Sequence, residues 1–221
     1  MDSASFISIY GDSISTLLGY TPEDGVFYDP AFSRNTKIRC VEDTWWHKVI
    51  CGVGGTLLVN DSHAGSSVCR GGYQAAATPW RVAKLKQQDR LPDCILVYSG
   101  LNDVATYRSA QEFGEQYRMM LQLMAEAYPD AIVWCGTLCR GFQENPNLAL
   151  FLNLDYFPPL QEYNDAMCAA VQASPNGRLA DLAGCGVAYS SVDGVHPNKA
   201  GMETLAQLWL RCLLHGGAEG E

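Results

Sequence analysis

Ser13, Asp193 and His196 have residue types and a spacing that could perform nucleophilic catalysis. Ser13 ends an alternating apolar stretch in "SFISIYGDS" (residues 5–13), and Asp193 precedes His196 by three residues in "SVDGVHPNKAG" (residues 191–201). A serine hydroxyl becomes an effective nucleophile when a histidine accepts its proton, and a carboxylate can orient that histidine. One short turn could therefore supply both the base and its carboxylate partner.

Each of these segments, taken alone, also fits an ordinary structural role. Gly, Asp and Ser are common in turns and at helix N-caps, so the stretch before Ser13 can be a strand-to-helix turn. Asp193 lies in a typical turn sequence, and His196 can be an incidental residue ahead of a helix. The loops "NDSHAGSS" (60–67) and "YSGLNDV" (98–104) have similar compositions. The fold that positions these segments must decide between the two interpretations.

Apolar segments of two kinds alternate along the chain and indicate the fold class. Short runs rich in β-branched residues predict five strands, at 5–10, 56–60, 94–100, 131–138 and 177–182. Apolar residues at helical spacing predict helices between and after them, at 44–53, 78–88, 109–128, 159–173 and 197–215. This alternation predicts a mainly parallel sheet between two layers of helices, a three-layer α/β/α sandwich. Ligands bind such sheets beyond the carboxyl ends of the strands, where the polar segments lie.

Four polar segments, in this order, resemble the motif blocks of the SGNH hydrolases, also called GDSL-like esterases and lipases. They are Gly11-Asp12-Ser13, the Asn60 to Ser67 loop with Gly65, Gly100-x-Asn102-Asp103, and Asp193-x-x-His196-Pro197. The resemblance spans nearly the whole chain. It implies a flavodoxin-like sandwich with a five-stranded sheet, and ester hydrolysis without a metal ion or an organic cofactor.

The resemblance also implies a role for individual residues. Ser13 would be the nucleophile, His196 the general base, and Asp193 the acid that orients the base. The backbone N–H groups of Ser13 and Gly65 and the side-chain amide of Asn102 would form the oxyanion hole. These roles fit the chemistry, because the oxyanion that forms on attack needs preorganised donors. A glycine at position 65 would let the reacting carbonyl approach the backbone closely.

Two positions depart from the family pattern. Ile14 stands where the older family name expects leucine, and we expect this side chain only to pack locally. His63 lies in the glycine block, where many members carry a small or apolar residue, and it places a second histidine near the site. His63 is therefore a candidate substrate-binding residue. Asp12 and Asp103, which adjoin Ser13 and Asn102 in the motif blocks, are the other two candidates.

Composition limits the alternatives. The 221 residues are 48% hydrophobic and 18% charged, which predicts a single domain over residues 1–221. A net charge of -9 disfavours nucleic acids and anionic membranes as partners. The N-terminus lacks a signal-peptide pattern and no apolar run is long enough to span a membrane, so the sequence predicts a cytoplasmic protein. The nine cysteines are odd in number and form no Cys-x-x-Cys pair, which favours free thiols over a metal site.

Other classes of protein fit the sequence less well. The glycines of "CGVGG" (51–55) precede a predicted strand, whereas a dinucleotide-binding loop follows one. A non-catalytic carbohydrate-binding protein could use Trp45, Trp46 and Trp80 for stacking, but the intact catalytic residues disfavour it. An α/β-hydrolase would carry a Gly-x-Ser-x-Gly elbow, which this sequence lacks, and its serine would not come first in the chain.

The shared motifs do not specify the ester. Segments 27–46 and 140–160 are candidate pocket walls, since they adjoin strand ends and carry aromatic residues. The aromatic residues that could face a sugar are Tyr20, Tyr28, Trp45, Trp46 and Tyr156, although Trp45 and Trp46 could equally be core residues of their helix. We expect a small-molecule partner, a short acyl ester (acetyl above all) of a carbohydrate or another small polar alcohol. A lysophospholipase or thioesterase acting on longer chains is the alternative, and the sequence predicts no oligomeric state.

Overall fold

The protein has a five-stranded parallel β-sheet, as seen in a computed structural model that describes residues 5–31, 35–143 and 159–215. The strands of the described chain are β1 (Phe6–Gly11), β2 (Thr56–Ser62), β3 (Cys94–Tyr98), β4 (Ile132–Gly136), β5 (Gly141–Gln143), β6 (Gly177–Ala180) and β7 (Tyr189–Ser191). The main sheet has the order β2-β1-β3-β4-β6, and β5 and β7 form a separate parallel pair. The predicted parallel sheet and its five strands are confirmed.

Helices cover the sheet. They are α1 (Trp45–Gly52), α2 (Pro79–Val82), α3 (Leu101–Ala105), α4 (Ala110–Ala127), α5 (Leu160–Gln172) and α6 (Lys199–His215). Helix α4 packs against α5, and α1 packs against α6. Gly114 permits the first contact, because a Cβ there would lie 3.0 Å from the Cβ of Ala166. The apolar stripes of α4 and α6 are buried, as the sequence predicted.

The helical stretch after β1 is short, and the predicted helix at 78–88 is shorter than expected. The segment after β1 forms only one 3-10 turn, Ser13–Ser15, since Thr16 returns to an extended conformation. The predicted helix at 78–88 consists of α2 and a following 3-10 turn, Ala83–Leu85. Both helical stretches end where the backbone returns to an extended conformation, at Thr16 and at Lys86. Helix α3, which begins directly after Gly100, was missed by the helix prediction.

Several of the aromatic residues that could face a sugar lie in the core. Trp45 and Trp46 have no exposed surface, and Tyr28 is 2% exposed. The Trp45 ring stacks on Trp209 of α6 with ring centroids 5.3 Å apart. The interface between α1 and α6 therefore accounts for Trp45. Tyr20 is exposed, while Tyr156 and residues 144–158 lie outside the described residues.

No helix in the described ranges is long and apolar enough to cross a membrane.

Candidate active site

The turn after β1 presents Ser13 at the carboxyl edge of the sheet. Asp12 caps the 3-10 turn, because its Oδ1 accepts a hydrogen bond from the Ile14 N–H at 3.0 Å. A Cβ at Gly11 would lie 2.6 Å from the Oγ of Ser15, so no larger residue fits there without movement. Ser13 itself is 6% exposed. Capping and close packing thus hold the serine in a defined place.

The loop between β7 and α6 presents the histidine. Oδ1 of Asp193 accepts hydrogen bonds from the N–H groups of Val195, at 3.1 Å, and His196, at 2.7 Å. Oδ2 lies 2.6 Å from Nδ1 of His196, and Nε2 of the same ring lies 2.9 Å from Oγ of Ser13. With Nδ1 protonated, the ring donates to Asp193 and can accept the proton of Ser13. The structure therefore brings the three predicted catalytic residues into one hydrogen-bonded chain.

Two carboxyl groups at this site have shifted pKa values. Burial works to raise the pKa of Asp193, but hydrogen bonds from His196 and Val195 and the charge of His196 hold it below its ordinary value. The Asp193 side chain is thus ionised at neutral pH, as a group that orients a histidine must be. Burial raises the pKa of Asp12 to about 6, although the Ile14 N–H, His196 and Arg81 oppose the shift.

The predicted oxyanion-hole donors lie in the turn after β1, in the loop after β2, and in the first turn of α3, which follows β3. Gly65 is exposed and has a φ of +81°, which few other residues adopt. Nδ2 of Asn102 donates to the backbone oxygen of Ser66 at 2.8 Å, which ties the Asn102 side chain to the loop of Gly65. Within residues 5–31, 35–143 and 159–215, the N–H groups of Ser13 and Gly65 donate to no protein acceptor. Such N–H groups are the kind that an oxyanion hole needs.

Asp103 anchors the loop that carries Gly65. Its two carboxylate oxygens accept hydrogen bonds from the N–H groups of Val68, at 2.8 Å, and Cys69, at 2.9 Å. The Asp103 side chain has no exposed surface, and burial raises its pKa despite these bonds. The residue therefore links α3 to the loop that carries Gly65.

The structure argues against direct substrate contact by the three predicted substrate-binding residues. Asp12 is 2% exposed, and His63 and Asp103 are fully buried. Asp12 caps the 3-10 turn that begins at Ser13, and Asp103 accepts hydrogen bonds from backbone N–H groups, as described above. Nε2 of His63 lies 3.2 Å from Oδ1 of Asp61, inside the protein. These side chains have no surface to offer a ligand, so we assign them to the support of the site.

A buried ion pair beneath the site was missed by the sequence interpretation. Nε of Arg81 donates to Oδ2 of Asp61 at 3.0 Å, and a second guanidinium nitrogen donates to the backbone oxygen of Gly11 at 2.8 Å. The guanidinium also lies 4.4 Å from the ring centroid of Tyr10. Arg81 thus joins the ends of β1 and β2. Nothing in the sequence around Arg81, which lies in the short helix α2, indicated this role.

Phe27 also touches the site, and nothing in the sequence singled it out within the segment 27–46. Its ring stacks on the imidazole of His196, with centroids 3.6 Å apart and planes 7° from parallel.

Part of the other predicted pocket wall, 140–160, lies outside the described residues. Its described ends, with Leu138 and Val187, line a cavity of about 550 Å³ that none of the three catalytic candidates borders.

No group of three or more His, Cys, Asp or Glu side chains among the described residues could hold a metal ion. All nine cysteines lie in described segments, and each is a free thiol.

Comparison with known proteins agrees with this fold. Residues 5–212 match the GDSL-like lipase/acylhydrolase family. Two proteins named as GDSL-like lipases have similar structures. The one from Bacteroides ovatus is 24% identical, with a TM-score of 0.70 over 97% of this chain and 100% of that chain. The one from Bacteroides uniformis is 22% identical, also with a TM-score of 0.70, over 98% and 97%.

A carbohydrate esterase family 3 protein from Talaromyces cellulolyticus is 17% identical, with a TM-score of 0.61 over 98% of this chain and 100% of that chain. No curated protein matches the sequence. Fold and sequence together define a hydrolase built on a parallel sheet. The chain belongs to the GDSL-like lipase/acylhydrolase family. It is a carboxylic ester hydrolase.

Proposed function

We propose that the protein hydrolyses carboxylic esters through an acyl-enzyme formed on Ser13, with His196 as general base and Asp193 as its orienting acid. The observation that carries this proposal is the continuous hydrogen-bonded chain from Oγ of Ser13 to Nε2 of His196, at 2.9 Å, and from Nδ1 to Asp193, at 2.6 Å. These distances are those required for direct proton transfer.

The reaction would proceed in two halves. Oγ of Ser13 attacks the ester carbonyl while its proton passes to Nε2 of His196, and the tetrahedral oxyanion binds the N–H groups of Ser13 and Gly65 and the amide of Asn102. Collapse breaks the bond to the alcohol, which takes the proton from His196. Water then attacks the acyl-serine, gives its proton to His196, and releases the acid as Ser13 recovers its proton. Asp193 stabilises the imidazolium in both halves.

For the substrate we propose short acyl esters, acetyl above all, carried by a carbohydrate or another small polar alcohol. Similarity in fold to a carbohydrate esterase supports this class. Tyr73 adds support, because it is 51% exposed and a Cβ at Gly65 would lie 3.9 Å from its ring. Its hydroxyl donates to the backbone oxygen of Asp24 at 2.5 Å, so the ring is held in place. A fixed aromatic surface beside the oxyanion hole suits the face of a sugar.

Removal of the nucleophile tests the reaction. We expect Ser13→Ala to abolish hydrolysis of p-nitrophenyl acetate, and a fluorophosphonate to label Ser13 alone, as located by peptide mass spectrometry. Ser109→Ala is a matched control, because Ser109 caps α4 and its loss should lower stability without changing kcat. Labelling of Ser62, Ser66 or Ser67 instead would overturn the assignment.

Chain length tests the substrate class. The experiment compares kcat/KM for p-nitrophenyl esters from acetyl to octanoyl and for acetylated sugars. A small acyl pocket predicts a steep fall once the acyl chain exceeds roughly four carbons, since further methylenes would clash. Values that hold or rise through octanoyl would refute the short-acyl proposal and favour the lysophospholipase or thioesterase alternative.

A further inference from the structure

The segment Asp24–Tyr28, here called the strap, connects the loops that carry the catalytic candidates. Its Gly25 oxygen accepts the Ala64 N–H at 2.7 Å, in the Asn60 to Ser67 loop that carries Gly65, here called the oxyanion loop. The Phe27 N–H donates to Oγ1 of Thr16 at 3.0 Å. That hydroxyl donates in turn to the backbone oxygen of Ser13 at 2.9 Å. The strap is therefore tied both to the oxyanion loop and to the nucleophile turn.

The other end of the strap reaches the histidine loop. The hydroxyl of Tyr28 donates to the backbone oxygen of Pro197 at 2.9 Å, directly after His196. The Phe27 ring meets the Tyr28 ring edge to face, with centroids 4.8 Å apart, and Tyr28 is buried. The Phe27 ring is thus held by its own backbone hydrogen bond and by a buried neighbour. One face of it covers the imidazole of His196.

The hydrogen bonds at the two imidazole nitrogens do not by themselves fix the ring plane. They define the line from Asp193 to Ser13, and a tilt of the ring about that line would keep both of them. A parallel ring with its centroid 3.6 Å away restrains that tilt. An aromatic face also attracts the cationic imidazolium that forms in each proton transfer.

We propose that Phe27 is a positioning residue for His196, which holds the imidazole plane in the orientation that proton transfer from Ser13 requires. This inference rests on the proposed function, since it gives His196 the role of the base. A purely structural role fits less well. Phe27 is only half-buried, and the hydrogen bonds of its backbone and of Tyr28 would keep the strap in place without the ring.

The test compares Phe27→Leu with Phe27→Tyr, which keeps the aromatic face. We expect Phe27→Leu to lower kcat by about 10- to 100-fold with KM changed less than about twofold, because small displacements of a catalytic group cost rates of this order. Fluorophosphonate labelling of Ser13 should slow by a similar factor. Phe27→Tyr should keep kcat within about threefold of the wild-type value, since the stacking surface is kept.

Phe6→Leu is the matched control. Phe6 is also half-buried, and its ring packs against the Arg90 guanidinium, 4.3 Å from the ring centroid. It begins β1, at the end of the strand away from Ser13. We expect Phe6→Leu to lower the unfolding midpoint while kcat stays within about twofold, as for substitutions far from the reacting groups.

NMR supplies a readout that a change in stability would not move. In the wild type, the ring current of Phe27 should shift the imidazole C–H resonances of His196 upfield, and Phe27→Leu should remove that shift. If Phe27→Leu does not fold, Phe27→Met replaces it, with a similar volume and no aromatic face. Absence of the shift, or a loss confined to KM, would overturn the inference.

The kinetic results also separate this inference from the proposed function. An active Ser13→Ala variant would overturn the proposed function itself. An inactive Ser13→Ala variant together with a Phe27→Leu variant whose kcat is unchanged would overturn only the role of Phe27.

Discussion

Asn102→Ala tests the oxyanion hole and has two separable effects. In the transition state, the lost Nδ2–H no longer binds the oxyanion. In the ground state, the 2.8 Å hydrogen bond to the Ser66 oxygen is also lost. The first effect lowers kcat, and the second lowers the free energy of unfolding. Because Asn102 is only half-buried, water can replace the amide at the Ser66 oxygen, so we expect the second effect to be the smaller.

The magnitudes of the two effects differ enough to be resolved. Removal of one preorganised oxyanion donor typically costs about 3–4 kcal/mol in the transition state, or ~10²–10³ in kcat. A single neutral hydrogen bond contributes about 0.5–1.5 kcal/mol to stability. We therefore expect Asn102→Ala to lower kcat by ~10²–10³ with little change in KM, because the oxyanion exists only after attack.

The assay is steady-state hydrolysis of p-nitrophenyl acetate beside urea unfolding. Asn164→Ala is the matched control, since Asn164 bonds the backbone of Leu138 through both its oxygen, at 2.8 Å, and its nitrogen, at 3.1 Å. That variant should lose stability and keep kcat. A fall in kcat of less than about tenfold for Asn102→Ala, roughly 1.4 kcal/mol, would refute a transition-state role for Asn102.

Three further predictions concern the histidines, a buried acid and a glycine. His196→Ala should lower kcat as much as Ser13→Ala does, since the residues act as a unit. His63→Ala should instead lower the free energy of unfolding by about 2–4 kcal/mol and change kcat less than tenfold, because the side chain is buried; the reverse ranking would contradict the assignment. Burial raises the pKa of Asp12 from 3.8 to about 6, so its ionisation in the folded protein lowers stability as pH rises through that window. Asp12→Asn should therefore match the wild type below about pH 4 and exceed it by up to about 3 kcal/mol above pH 6 in urea unfolding; equal stability at pH 8 would contradict this. Gly136→Ala should cost about 1–3 kcal/mol in the same assay, since a Cβ there would lie 2.6 Å from Trp209, and an unchanged midpoint would show that the core yields.

Elements with local patterns could be predicted from the amino-acid sequence. The apolar runs of β1 to β4 and of β6 and the stripes of α4 and α6 could be identified because burial repeats at the spacing of a strand or a helix. The polar residues that follow β1, β2 and β3 could be gathered at one edge, since parallel strands share the direction in which they end. Ser13 was accessible to this reasoning, whereas Asp193 and His196 stood out by their spacing ahead of the last predicted helix.

Which side chains are buried, and what they contact, depends on packing between elements that are distant in the sequence. Trp45 and Trp46 lie in a stretch that fits a pocket wall and a helix face equally well. Burial decides in favour of the core, since neither ring is exposed and Trp45 stacks on Trp209 of α6. The strands β5 and β7 have three residues each, too few to show a period, and they form because they pair with each other.

The supporting contacts of the site depend on distance in space and not on pattern. Phe27 and His196, and likewise Arg81 and Gly11, are far apart in the sequence and meet because separate loops fold over one sheet edge. Residue type alone does not distinguish a phenylalanine that stacks on the imidazole of His196 from one that fills a core. Such contacts leave no periodic trace in the sequence, because each is made by a single side chain whose partner is brought to it by the whole fold.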